Sequence, residues 1–192
     1  MAHPRSGTVY MSRLFTEAFG VEVGDETRMG KDGISSFLIG AVDNPRWGPD
    51  PWDYDFENRI HLVRNPLKVV SSVLACVTEG VQEYMARECG VDPELPAPHR
   101  CLLVYREWNK RIEIRKPNIR MKVEDAPEHL AKWLDREPDA SKLPPTDTNS
   151  RSSQLGGMKD PPDFTMNYFQ NNVPLAVFFH FEDAFKAYGY SR

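Results

Sequence analysis

Cysteine is scarce. Cys76, Cys89 and Cys101 are the only three in 192 residues. They are odd in number and form neither a CxxC pair nor a Cys/His ligand spacing, which argues against a disulfide framework and a structural zinc site and fits a reducing compartment. His61, His99, His129 and His180 also lack metal-ligand spacing, so no metal is expected. No apolar run approaches the roughly 18 residues of a membrane span, and no membrane association is expected. Charge of one sign is not in excess: 24 Lys and Arg stand against 28 Asp and Glu, a net charge of −4. That balance disfavours a nucleic-acid binder, although a local basic patch can still hold a small anion. Met1-Ala2-His3-Pro4 leaves no room for a signal peptide ahead of the first motif, so the expected location is cytoplasmic. Internal repeats and low-complexity tracts are absent as well.

What is present reads as one α/β domain over residues 1–192, with 40% hydrophobic and 11% aromatic residues. Apolar positions Val9, Tyr10, Leu14, Phe15, Ala18 and Phe19 have helical spacing, and Gly20 suits the helix end. Val21-Glu22-Val23 reads as a short strand, and Ile34, Phe37, Leu38 and Ala41 as a second helix. Arg59 to Val63 is a buried strand, followed by one helix from Pro66 toward Gly90. Further elements are a helix over Arg100 to Arg115, a strand over Ile119 to Val123, a helix over Ala126 to Leu134, and a closing helix over Pro174 to Tyr188 with a phenylalanine core. Strands alternating with helices imply a parallel sheet flanked by helices, with ligands at the carboxyl ends of its strands. Lys142 to Asp163 holds four prolines and two glycines, and is long enough to be a functional loop. Asn44 to Phe56 is a second long loop, whose Trp47 and Trp52 suit a cover over a bound substrate.

Two segments carry chemistry. Pro4-Arg5-Ser6-Gly7-Thr8 precedes a helix, where backbone N–H groups form an anion cradle and Arg5 adds fixed positive charge; the alternative is a simple turn. The triphosphate loop G-x-x-x-x-G-K-[ST] does not occur. His61-Leu62-Val63-Arg64-Asn65-Pro66 puts Arg64 at the carboxyl end of a strand, ahead of Ser71 and Ser72 in the next helix. An Arg fork and a serine hydroxyl suit a second phosphate; the alternative is an arginine at a sheet edge with two solvated serines. Eight basic residues lie between Arg100 and Lys122, read mainly as a solvated helix face.

Together the two segments resemble the sulfotransferase family that uses 3′-phosphoadenosine-5′-phosphosulfate as donor, with a fold of the P-loop nucleotide-binding type. In that family a PKSGTT or PRSGTT loop holds the 5′-phosphosulfate, which implies donor contacts from Arg5, Ser6, Gly7 and Thr8. An R-[ND]-P motif with a serine eight residues after the arginine holds the 3′-phosphate, which implies Arg64 and Ser72. Gly24-Asp25-Glu26-Thr27-Arg28 is similar to the GEETR segment of tyrosylprotein sulfotransferases, and Arg5 and Glu26 have the separation seen there. The resemblance therefore implies Glu26 as the catalytic base, Arg5 as a catalytic cation, and Arg28 as an orienting residue for Glu26 or the acceptor. Arg151 in the long loop is a further implied nucleotide contact. The implied reaction moves a sulfuryl group to a hydroxyl-bearing acceptor without a metal. Two departures stand out: Val9 replaces the family's second Thr, and only Met1 to His3 are available for the strand before the loop. The alternatives are a P-loop kinase or nucleotide hydrolase, and a non-catalytic nucleotide-binding module of the same fold.

Overall fold

A computed structural model describes residues 1–25, 29–37, 56–145 and 162–191. It is mixed α/β, about 53% helical, with small parallel sheets. The chain forms two compact units, Met1–Val63 with Ile112–Asn149, and Arg64–Arg111 with Ser150–Arg192.

In the first unit α1, Thr8–Arg13, continues through a π-helical turn over Leu14–Ala18. Strands β1, Val23–Gly24, and β2, Gly33–Ile34, pair in parallel. Strand β3, Ile60–Val63, pairs in parallel with β4, Ile119–Lys122, and Leu62 also forms a parallel bridge to Ala2. β3 thus has a neighbour along each edge, and successive residues His61, Leu62 and Val63 are all buried, so the strand is covered on both faces and does not alternate apolar with solvent-facing polar residues. Leu14, Phe19, Met121 and Leu130 are all buried in this unit's core, the last supplied by α5, Ala126–Leu134. The helix expected from Ile34 onward is not seen at its start, because Gly33 and Ile34 join β1. The Ser35 N–H extends that pairing by donating to the Gly24 carbonyl at 3.0 Å.

The second unit is helical: α2, Pro66–Cys76; α3, Glu79–Glu88; the greater part of α4, Ala97–Ile114; α6, Met166–Asn172; and α7, Leu175–Ala187. The single helix expected from Pro66 toward Gly90 breaks at Val77 and Thr78, whose backbones are extended. Two β-branched residues ahead of Gly80 weaken the helix here. The Gln82 side chain then captures the Val77 carbonyl at 2.9 Å. On α7, Phe178, Phe181 and Phe185 share one buried stripe, whereas Phe179 is 56% exposed. Its position one residue beyond Phe178 turns it about 100° from that stripe, so it is not core. Arg100, expected on a solvated face, is instead buried, with its guanidinium donating to Glu79 and to the Pro93 carbonyl. Cys76, Cys89 and Cys101 are all buried and free. Burial pushes the Cys89 and Cys101 thiols up to about 12.

Helix α6 has little hydrophobic periodicity in MNYFQNN, yet it anchors the core through Phe169. That ring is fully buried, 6.2 Å from Phe164 and 5.7 Å from Phe181 between centroids. Phe169→Ala is expected to cost about 3–5 kcal/mol through lost burial and the cavity left behind. Urea denaturation of both proteins measures the difference.

Candidate functional site: the loop at the strand ends

The Pro4–Thr8 loop leaves the Ala2 bridge and enters α1 through an unusual backbone. The Ser6 N–H returns to the His3 carbonyl at 3.1 Å, closing a tight turn. Arg5 has φ +70° and Gly7 φ +93°. The left-handed region is costly for arginine, by roughly 1–2 kcal/mol, and a paid local strain of this kind is a frequent mark of a functional loop. Left-handed residues alternating with others turn successive N–H groups toward one concave side, a geometry suited to anions. The helix is anchored to the turn, since the Met11 N–H donates to the Gly7 carbonyl at 2.9 Å. Ser35 fixes its first turn, its hydroxyl donating to the Thr8 carbonyl at 2.9 Å. Ser6 and Thr8 are buried, and Arg5 is half-buried.

Val123 sets the other wall. It follows β4 directly, and its N–H donates to the Val63 carbonyl at 2.9 Å. It therefore stands at the carboxyl ends of β3 and β4, where the loop also lies. A Cβ on residue 7 would fall 2.8 Å from the Val123 Cγ2. Glycine is required here twice, by the dihedral and by this contact.

Two buried histidines lie beneath. His3 is 1% exposed, and its Nδ1 lies 2.7 Å from the Pro4 carbonyl, so that nitrogen carries hydrogen and donates. Burial holds its pKa down at about 4, with the Pro4 carbonyl acting in the opposite sense and His61 lowering it further. His61, on β3, is fully buried, and its Nδ1 is 2.6 Å from Glu113 Oε1. The Arg120 guanidinium donates to the same oxygen at 2.6 Å. Burial pushes the Glu113 carboxyl up, but the bonds from Arg120 and His61 outweigh it and hold the group below the usual carboxylate range. The sequence places His3 near the loop; the role of His61 escapes it, and its one signal is a histidine within an apolar strand.

Arg64 and Ser72 belong to the second unit. Arg64 is half-buried beside the start of α2. There the Asn65 carboxamide accepts the Lys68 N–H at 3.2 Å, and Pro66 opens the helix. Ser72 is buried two turns along, while the Ser71 hydroxyl is engaged by the Phe164 carbonyl at 3.2 Å. The structure thus brings Arg5, Ser6, Gly7 and Thr8 together in one unit, and Arg64 and Ser72 in the other. Glu26, Arg28, Trp47, Trp52 and Arg151 lie outside the described residues. Among the described residues no group of three or more His, Cys, Asp and Glu side chains stands in a ligating arrangement, and no helix is long and apolar enough to cross a membrane. Comparison with protein-family models, curated proteins and solved structures finds no match.

Gly7→Ala is expected to cost about 1–3 kcal/mol from the dihedral alone, and more from the Val123 contact. Adding Val123→Ala should return the contact part and leave the dihedral part. Denaturant midpoints of the two single variants and the double variant separate the terms.

His3 sets a pH dependence. Its unfolded pKa is near 6.5 and its folded value about 4. Between these values the unfolded chain binds the extra proton, so stability falls as pH drops from 6.5 toward 4, by on the order of 3 kcal/mol in total. Below that window this contribution flattens. His3→Asn retains a donor for the Pro4 carbonyl but does not titrate, and its stability profile should be flatter between pH 6.5 and 4.5.

Proposed function

We propose that this chain is a sulfotransferase of the P-loop type, moving a sulfuryl group from 3′-phosphoadenosine-5′-phosphosulfate to an acceptor hydroxyl. The observation that carries the reading is the coincidence of motif and backbone in Pro4 to Thr8. The segment that resembles the family's phosphosulfate loop runs from a parallel-bridged residue into a helix, with left-handed residues at 5 and 7. Arg64 at the head of α2, with Ser72 two turns along, supports a 3′-phosphate contact.

In this reading the donor, when bound, supplies the activated sulfuryl group. Sulfuryl transfer resembles phosphoryl transfer in its loose, in-line transition state, so catalysis rests on positioning and charge stabilisation. Arg5 and the loop N–H groups donate to oxygens on which negative charge grows as the sulfur to phosphate-oxygen bond breaks. Glu26, ionised, takes the proton of the acceptor hydroxyl as the new oxygen to sulfur bond forms. Arg28 orients that exchange. Arg64 and Ser72 hold the 3′-phosphate, with Arg151 as a further nucleotide contact, and Trp47 and Trp52 face the acceptor. No metal takes part.

A second reading is a nucleotide-binding module without turnover. It is favoured by Val9, which removes a hydroxyl from the cradle.

Thermal melts with 3′,5′-bisphosphoadenosine, 5′-AMP and ATP, each with and without magnesium, test the shared nucleotide site. At about 100 times its Kd the bisphosphate should stabilise the protein by about 2.7 kcal/mol without magnesium. Equal stabilisation by 5′-AMP, or stabilisation only with magnesium, overturns the assignment. Arg64→Ala should remove about 1.5–3 kcal/mol of the preference for the 3′-phosphate, read by calorimetry.

Turnover separates the two readings. With an acceptor found by screening phenols, sugars and peptides against labelled donor, Glu26→Gln should lower the rate by about 10²–10⁴-fold. Bisphosphate affinity should remain near that of the parent, since Gln keeps the shape and loses only the proton acceptor. Nucleotide binding with no acceptor turned over selects the second reading.

A further inference from the structure

At the other end of the strands the first unit contains a cavity of about 280 Å³. Its walls come from places that a parallel α/β arrangement brings to the amino ends of strands. Ile60 opens β3, Phe15 lies beyond α1 in the π-helical turn, and Trp133 stands near the end of α5. Met11, Val23 and Ile34 add to the apolar lining. Phe15 and Trp133 meet edge to face, with centroids 6.4 Å apart and planes at 85°. Their rings form an aromatic corner, and Trp133 is 38% exposed, so the corner opens to solvent.

The polar part of the lining has both signs. Asp32 and Glu57 are acidic, and Arg59 is basic. The Asp32 carboxylate is fixed in place because its Oδ2 accepts the Glu22 N–H at 2.7 Å. Its other oxygen has acceptor capacity, since a carboxylate oxygen takes more than one donor. The Arg59 guanidinium makes a long bond of 3.4 Å to the Arg115 carbonyl.

We infer that this cavity binds an uncharged aromatic molecule of one or two fused rings carrying a single N–H or O–H group. Size favours that class: apolar cavities of about 150 Å³ hold benzene, and this one is roughly twice as large. Ring geometry favours it as well, because an aromatic guest gains an edge or face contact with Phe15 and Trp133 beyond the area it buries. The fixed Asp32 carboxylate supplies an acceptor for the one donor. Two acidic side chains, Asp32 and Glu57, against one basic, Arg59, disfavour an anion, and the apolar walls disfavour burying a bare cation, which leaves a neutral guest. The inference does not depend on the sulfotransferase reading, since the loop and its residues take no part.

Indole is the probe. Titration calorimetry on the full chain should show saturable, one-to-one binding, and indole should raise the melting temperature. Benzoate, with as many heavy atoms as indole but charged and without the donor, should bind at least about tenfold more weakly. Ile34→Phe should weaken indole at least about tenfold by filling the space, with the near-ultraviolet circular dichroism of the parent retained. Val23→Leu, a gentler enlargement of the same wall, serves if the first variant does not fold, and should weaken indole in the same direction. Saturable binding that is lost on filling the cavity upholds the site. Absence of saturable indole binding, equal affinity for benzoate, or unchanged indole affinity in the folded variants overturns it.

Discussion

The loop at the carboxyl ends of the strands depends on close packing between Gly7 and Val123. Ahead of it Ala2 is bridged to Leu62, and the Leu62 N–H donates to the Met1 carbonyl at 2.9 Å. The five loop residues are held by more than this pairing. Orientation comes from what surrounds them. Val123 blocks one side, the Ser6 N–H closes the turn, and Ser35 ties the first turn of α1. A larger residue at position 7 would push the loop off the strand ends, and the left-handed backbone at Arg5 would lose the packing that offsets its cost.

Much of this arrangement is legible in the sequence, and the part that is not has physical causes. Apolar runs bounded by turn residues mark β3 and β4 within a residue, and α5 matches its expected span because Pro127 and the spacing of Ala126 and Leu130 define its start and its buried face. Each of these patterns is local. Ile34 misleads because its helical spacing with Phe37 competes with pairing to β1, a tertiary contact that sequence spacing does not contain. The α2–α3 break rests on a side chain, Gln82, reaching back to a carbonyl. Helix α6 owes its existence to burial of Phe169 and not to propensity.

The candidate site divides in the same way. Arg5 to Thr8 and the Arg64-Asn65-Pro66 corner are found by motif, and the structure supplies the strained backbone at Arg5 and the asparagine cap at Asn65. The acid–base cluster around the buried His61 is not found by motif. His61 lies 52 residues from Glu113, which is 7 residues from Arg120, and the parallel register that sets His61 opposite Arg120 brings the three together. A charged carboxylate shared by two donors is retained at the edge of a core because its hydrogen bonds are satisfied.

The three thiols all reside in the second unit, and each is buried. At neutral pH, Cys89 and Cys101 have almost no thiolate in the closed state, and alkylation requires the thiolate. Their modification is therefore gated by opening, at a rate that reports how often this helical unit breathes. The first unit contributes no cysteine and is silent to such reagents. The wild-type chain thus carries a chemical clock for one half of its fold, with no label introduced.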